Sequence, residues 1–328
     1  MTAPGYVDTT FLTDSVEPLM RSTVYLNTFI FDDARNGGLF QDRPNRIGNE
    51  IKIPLEYSFT SNAGTFSYDD PMKDPESASG VFMTFNKDAF DDSVRVYKLL
   101  EAYAMGEGER VQGSTLADAI TNDPKFQRAA RALANAINTT CLSDMETMVD
   151  SSGNFSDANL SRATYGLASY EYAAGSAVLT RTMLEDTIAA LMSTTYGEAS
   201  FEDLLIYAPL GQWKRITRFA GGNTGTELND SNFPMTVAAD GSGAIDSGRM
   251  RRTTTFEGIP VIVVPGMTTT ITEVLRKGTW GRYKWLPFEM EDKSAGVLAY
   301  QKLYNFVQGV NVLTDMPSWN AKISGLTA

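Results

Sequence analysis

The 328-residue chain contains no histidine and a single cysteine, Cys141. Without histidine, neither a Ser-His-Asp nor a Cys-His catalytic arrangement can form, and no imidazole is available to bind a metal ion. A single cysteine also excludes an intrachain disulfide and a cysteine-rich zinc site. The sequence therefore excludes several widespread kinds of catalytic and metal centre.

Basic residues are fewer than acidic ones: 28 lysines and arginines stand against 40 aspartates and glutamates, a net charge of −12. Such a chain is not expected to read nucleic acid, because proteins that do so carry a basic surface. No run approaches the roughly 18 consecutive apolar residues of a membrane helix, and the first residues lack the features of a signal peptide. We therefore expect no membrane partner and synthesis in the cytosol.

The composition, with 42% hydrophobic and 11% aromatic residues, is typical of a folded protein. Its motifs do not indicate chemistry. Gly106-Glu-Gly108 lacks the third glycine of a dinucleotide loop, and neither a phosphate-binding Gly-Lys-Ser/Thr sequence nor a calcium loop occurs. Adjacent aspartates at 32–33, 69–70 and 91–92 are expected by chance in so acidic a chain. We predict no catalytic residue, no cofactor and no metal site, and interpret Cys141 as a small core residue.

The N-terminal segment, 1–46, is rich in apolar residues that follow no sustained period. Asp14 and Ser15 can cap a short helix, and Asn36-Gly37-Gly38 breaks the segment further on. The large apolar side chains between these points have no evident partner within the segment: Tyr25, Leu26, Phe29 and Phe31. We interpret the segment as an apolar arm.

A β-hairpin is predicted next. Apolar residues occupy every odd position from 51 to 59, as in a half-buried strand, and Pro54 makes that strand an edge. A second strand-like run covers 81–85, and about twenty mainly polar residues join the two. Because an isolated two-stranded ribbon is marginal in water, we expect this hairpin to pack outside its own domain. Its candidate contact residues are Ile53, Leu55, Tyr57 and Phe59.

Two helices are predicted in the middle of the chain. The stronger covers 124–149, with Pro124 at its first position and apolar residues at three- and four-residue steps. Apolar spacing also predicts a helix over 94–105.

An α/β layer is predicted between residues 178 and 278. Thr182 and Glu185 match a capping box that begins a helix, and strands at 203–208 and 259–264 follow. The tail from Trp280 is aromatic and strand-like, with turns predicted at Pro287 and Gly309.

Charge is unevenly distributed. Segment 60–92 carries seven acidic residues and two lysines, whereas segment 210–284 carries ten basic and six acidic residues. We predict that an acidic hairpin on one copy meets a basic surface on another, although both can simply be solvated faces. The acidic candidates are Asp69, Asp70, Asp74 and Glu76, and the basic candidates are Lys214, Arg215, Arg218, Arg249, Arg251 and Arg252.

In the order of these parts the chain resembles the major capsid proteins of tailed bacteriophages, which have the α+β HK-ninety-seven-like fold. The resemblance covers nearly the whole chain and rests on order and spacing. It divides the chain into an N-terminal arm (1–46), an E-loop (47–92), a P-domain with the spine helix (93–177), an A-domain (178–278) and returning P-domain strands with a C-terminal segment (279–328).

The resemblance implies a structural subunit that assembles as hexamers and pentamers into an icosahedral shell enclosing double-stranded DNA, without sequence-specific binding. It implies an E-loop that lies over a neighbouring subunit and an arm that grips another. A portal and decoration proteins are further implied partners. Because the E-loop begins near residue 48, we hypothesise a separate scaffolding protein. The expected location is the virion, after assembly in the host bacterial cytoplasm.

Three other interpretations stay open. An encapsulin has the same fold but encloses cargo enzymes instead of DNA. An enzyme would need a pocket that gathers acids from distant segments, or a bound nucleotide. A soluble adhesion or tail component would form no large closed assembly.

Overall fold

The computed structural model contains two β-sheets, a two-stranded ribbon and a long helix. The described residues are 17–44, 48–59, 78–97, 124–155, 160–194, 201–220, 254–292 and 301–327. The helices are α1 (Glu17–Asn27), α2 (Asp33–Asn36), α3 (Pro124–Met148), α4 (Arg181–Thr194) and α5 (Leu210–Ala220).

The strands comprise three groups that pair separately. Their bounds are β1 (Phe40–Arg43), β2 (Glu50–Phe59), β3 (Ala78–Asn86), β4 (Ala89–Tyr97), β5 (Tyr170–Ala173), β6 (Leu204–Ala208), β7 (Thr254–Phe256), β8 (Ile259–Val263), β9 (Thr272–Arg276), β10 (Trp280–Asp292), β11 (Gln301–Thr314) and β12 (Ala321–Ser324). Short 3-10 turns cover Phe29–Phe31, Phe201–Asp203 and Pro317–Trp319.

Helix α3 confirms the long helix predicted over 124–149. Its 25 residues make a rod of about 37 Å. One face is buried along its whole length, with side chains at three- and four-residue steps. These are Phe126, Ala130, Leu133, Ala134, Ile137, Cys141, Met145 and Met148. Burial raises the pKa of the Cys141 thiol well above its usual value, as expected of an inert core residue.

A four-stranded sheet lies against α3 in the order β1-β10-β11-β4. The pairing of β1 with β10 is parallel, and the other two pairings are antiparallel. The helix predicted over 94–105 is wrong in its described part, 94–97, because β4 pairs with β11 from Ala89 to Tyr97. Pairing with a strand some 200 residues away outweighs a weak local helical spacing.

The turns predicted in the tail are also wrong. Pro287 lies within β10, where a register shift between Leu286 and Glu289 accommodates a residue that cannot donate to the ladder. Gly309 lies within β11 against the ring of Trp285, which occupies the space that a Cβ atom would need. The glycine is explained by this close approach and not by a turn.

The second sheet has six strands in the order β5-β12-β9-β6-β8-β7 and confirms the predicted α/β layer. One face packs on α4 and α5 through residues such as Ile206 and Val274. The other face contributes Leu205 and Leu275 to the core around α3. Helix α4 is confirmed, but its predicted cap is wrong: Thr182 lies inside the helix, which begins at Arg181.

Candidate functional site

The ribbon of β2 and β3 is the first candidate contact surface. Its register pairs Ile53 with Met83 and Pro54 with Phe82, so that successive residues alternate between two faces. One face is buried in the core around α3; we call these side chains the ribbon base: Ile51, Ile53, Met83 and Phe85. The prediction that Ile53 contacts another subunit is therefore wrong, because this residue is 3% exposed within its own chain.

The opposite face of the ribbon is open. Phe82 is 59% exposed, and its partner Pro54 is also exposed. The alternation over 81–85 could have singled out Phe82, because it places this large aromatic on the face opposite Met83 and Phe85. The side chains of Leu55, Tyr57 and Phe59 lie outside the described residues, as do Asp69, Asp70, Asp74 and Glu76. Their proposed contacts stay predictions.

The N-terminal segment, 17–44, is attached to its own subunit. Phe29 is 1% exposed and its ring lies 5.7 Å from that of Tyr207, while the rings of Tyr25 and Phe31 are 4.7 Å apart. The backbone N–H of Phe29 donates to Asn138 Oδ1 in α3 at 2.9 Å. For Phe29 the arm prediction is wrong, because this side chain is buried in its own chain. Tyr25 and Phe31 are only partly buried, so their contact with another subunit stays a prediction.

Leu26 differs from these three residues, since it is 72% exposed at the end of α1. It remains a candidate contact residue. The structure also exposes large apolar side chains that the sequence had not singled out: Val178, Leu210 and Met316.

Arg282 is a second tie on the N-terminal segment. It is 5% exposed, and Nη1 donates to the carbonyl oxygen of Ile30 and to Asp33 Oδ1, both at 2.9 Å. Its Nε donates to Asp42 Oδ1 at 2.8 Å, and Lys284 Nζ donates to Asp42 Oδ2 at 3.0 Å. Although partial burial acts to raise the pKa of Asp42, hydrogen bonds and charges from Lys284 and Arg282 bring it below its usual value. Part of the predicted basic surface is thus used internally.

Of the basic residues predicted to contact another copy, one is exposed and one is bonded within its own chain. Lys214 is exposed on α5. Arg215 donates from Nη1 to the carbonyl oxygen of Thr327 at 2.6 Å, so it also holds the C-terminal end of the chain. The side chain of Arg218 and residues Arg249, Arg251 and Arg252 lie outside the described residues.

An open groove of about 310 Å³ lies beside the ribbon base. It is lined by Arg43, Pro44, Ile53, Pro54, Tyr283 and Asp315. Arg43 Nη2 and Asp315 Oδ2 are 2.7 Å apart, so the charges in its wall already compensate each other. Within the described residues, no group of three or more Cys, Asp or Glu side chains could hold a metal ion. No helix in the described ranges is both long and apolar enough to cross a membrane.

Comparison with known proteins rests on structure. No protein-family model matches the chain, and no curated protein matches it in sequence. The chain is similar to the capsid of cyanophage P-SCSP1u, with a TM-score of 0.55 and 14% identity over 88% of this chain and 87% of that one. It is similar to the capsid of cyanophage A-1(L), with a TM-score of 0.56 and 11% identity over 89% and 92% of the two chains.

A virus-like particle from Pyrococcus furiosus is also similar, with a TM-score of 0.53 and 8% identity over 95% of this chain and 98% of that one. The chain therefore has an α+β viral-capsid fold. More narrowly, it has the HK-ninety-seven-like fold of tailed-phage major capsid proteins, as the order of its parts predicts.

Proposed function

We propose that this chain is a major capsid protein: a structural subunit that assembles as hexamers and pentamers into an icosahedral shell around double-stranded DNA. The observation that carries the proposal is the similarity to phage capsid structures over nearly the whole of both chains, 88% and 87% in one case. A second support is the ribbon, whose base is fixed in its own core while Phe82 is exposed on the opposite face.

In this proposal residues 47–92 are the E-loop, and the part of it beyond residue 54 overlies a neighbouring copy. The five residues of β2 that follow Pro54 extend over about 16 Å from the ribbon base. Burial of apolar surface between copies supplies the cohesion, and the acidic tip at 69–76 meets exposed basic groups such as Lys214 to set the register. The net charge of −12 also disfavours adhesion of packaged DNA to the wall.

Neighbouring residues of β3 provide a matched test. Phe82→Ser should leave the urea midpoint of the unassembled subunit unchanged but lower the yield of particles seen by sedimentation velocity and negative-stain microscopy. Met83→Ser should unfold the subunit more easily, because Met83 is fully buried in the ribbon base. A Phe82→Ser chain that forms particles as efficiently as the unmodified chain would contradict the role given to this face.

The acidic tip is tested by charge reversal. Asp69→Lys with Asp70→Lys should block assembly, whereas Asp91→Lys, at an exposed position of β4, should not. If the double variant assembled as well as Asp91→Lys and the unmodified chain, the proposal that charge sets the register would be contradicted.

The partners and location of the particle belong to the same proposal: assembly in the host cytoplasm with a separate scaffolding protein and a portal, and with decoration proteins added to the finished virion. Expression without a scaffolding protein should give no closed shells of uniform size. Uniform shells from the chain alone would contradict the scaffolding hypothesis and leave the capsid assignment intact.

A second candidate function is a nanocompartment shell, favoured by the similarity to the Pyrococcus particle over 95% and 98% of the two chains. Nuclease-protected double-stranded DNA in purified native particles supports the phage capsid. A co-purifying cargo protein in place of DNA supports the nanocompartment.

A further inference from the structure

A row of polar side chains crosses four strands of the six-stranded sheet. Lys322 on β12 lies opposite Glu171 on β5 and Glu273 on β9, and Glu273 lies opposite Tyr207 on β6. Directly opposed residues on paired strands project from the same face of a sheet. We call these four residues the polar row.

The polar row faces the core around α3. The Tyr207 ring packs on Phe29, and its hydroxyl donates to the carbonyl oxygen of Asn36 at 2.7 Å. Tyr207 is part of the core that contains α3, whereas the alternate residues Leu204 and Ile206 belong to the core on the other face. The row therefore lies in the joint between the α/β layer and the rest of the subunit.

Acidic groups outnumber basic groups in this joint. Lys322 is 6% exposed, and its Nζ lies 3.2 Å from Asp150 Oδ2 and 3.9 Å from Glu171 Oε1. Glu171 in turn accepts from Ser151 Oγ and Ser324 Oγ, each at 2.5 Å. Lys322 thus already faces two carboxylates besides Glu273. The buried Arg162 acts on one of them, Asp150, and donates to the carbonyl oxygen of Met148.

Glu273 is the buried carboxyl group of the polar row for which no hydrogen bond from a described residue compensates the burial of Oε1. The residue is 1% exposed. An ionised carboxylate in such a site is costly unless it is paired. Burial and, to a smaller extent, the charge of Glu146 raise the pKa of Glu273, while Lys322 acts to lower it; together they bring it to about 8.

The neighbouring end of α3 supplies the repelling charge. Glu146 accepts from the backbone N–H and the hydroxyl of Thr268 at 2.9 and 2.7 Å, so its carboxylate is held against the segment that leads into β9. The titratable groups around Glu273 are Glu146 from α3, Tyr207 from β6 and Lys322 from β12, with Asp150 and Glu171 behind Lys322.

We propose that Glu273 is a proton-operated latch: its neutral form lets the six-stranded sheet close on the C-terminal end of α3, and loss of its proton to water opens this joint. The open joint relieves the repulsion from Glu146 and gives the carboxylate solvent. The latch acts within one subunit, so it does not rest on the proposed assembly.

Amide hydrogen exchange of the unassembled full chain tests the latch, because segments 142–149 and 267–276 bracket the Glu146–Thr268 contact. Exchange is normalised to the intrinsic rate at each pH. With pKa values of about 8 in the closed joint and 4.5 in the open one, protection should fall about thirtyfold between pH 6.5 and pH 9. Glu273→Gln, which is neutral at every pH, should show less than a twofold fall. Glu289→Gln, at an exposed position of β10, should behave as the unmodified chain.

The joint must also open without global unfolding. At pH 9 the amides of segments 142–149 and 267–276 should be at least tenfold less protected than those of β11. If these two segments were as protected as β11 at every pH, the proposal would be overturned. The same would follow from pH-independent protection in the unmodified chain, or from an equal fall in Glu273→Gln. If Glu273→Gln does not fold, Glu146→Gln replaces it: removing the repelling charge should shrink the fall, and an unchanged thirtyfold fall would overturn the proposal.

Discussion

Phe29 and Leu26 lie three residues apart, but replacement by alanine is expected to destabilise the isolated chain at Phe29 and not at Leu26. Phe29 is 1% exposed, stacks edge-on against Tyr207 and donates its backbone N–H to Asn138. Leu26 is 72% exposed. If segment 17–44 belongs to the core of its own subunit, Phe29→Ala destabilises the isolated chain and Leu26→Ala does not.

The magnitudes follow from burial. Truncation of a fully buried phenylalanine costs about 3–5 kcal/mol, whereas a largely exposed leucine costs less than about 0.5 kcal/mol. Urea denaturation of the unassembled subunit, followed by far-ultraviolet circular dichroism, measures both, with unchanged slopes as the sign of an intact transition. A Phe29→Ala midpoint equal to that of Leu26→Ala would refute this reasoning. It would mean that the segment gains its partners from another copy.

Three further predictions concern buried groups. Because the pKa of Glu273 is raised from 4.5 to about 8, the folded chain keeps a proton that the unfolded chain releases near pH 4.5. The stability that this group contributes is complete below pH 4.5 and is lost as pH rises through 8. Between pH 5 and pH 9 the free energy of unfolding should fall by about 4 kcal/mol, and urea denaturation of Glu273→Gln should not show this fall. Arg162 Nη1 donates to the buried carbonyl oxygen of Met148 at the end of α3, at 2.7 Å. Arg162→Met removes this donor and should cost about 2–3 kcal/mol in urea denaturation; an unchanged midpoint would contradict that role. Gly309→Ala should cost about 1–3 kcal/mol in the same assay because its Cβ meets the Trp285 ring, whereas Gly211→Ala, with open space around it, should be neutral or stabilising.

The elements that sequence predicts well are those whose pattern is local. The alternation over 51–59 predicts β2, and the three- and four-residue spacing after Pro124 predicts α3. The buried residues Ile51 and Ile53 share one face of β2, and one face of α3 is buried along its length. The same reasoning misplaces 94–97, where the partner strand β11 begins at Gln301 and leaves no trace in the neighbouring sequence.

The candidate contact surface is predictable only in part for a related reason. Residues 51 and 53 are correctly identified as lying on one face of the ribbon, but periodicity does not say which body covers that face. Ile53 is covered by its own subunit, and Phe82 on the other face is the exposed residue. Arg282 likewise counts as surface charge in the sequence, although its carboxylate partners Asp33 and Asp42 lie 249 and 240 residues earlier.

The distribution of buried polar ties limits where assembly contacts can be sought. Asn138 joins the N-terminal segment to α3, Tyr207 joins it to the six-stranded sheet, and Arg282 joins it to the four-stranded sheet. A segment held at three separate bodies contributes to the rigidity of the whole subunit, because none of these ties can be released without leaving a buried polar group unpaired. Substitutions there act on folding first and on assembly only as a consequence. Among the described residues, the outer ribbon face around Phe82 and the exposed end of α1 at Leu26 can meet another copy without such a cost, as can the exposed side chains of Val178, Leu210 and Met316. Altered assembly with unaltered subunit stability is to be expected from substitutions at these positions.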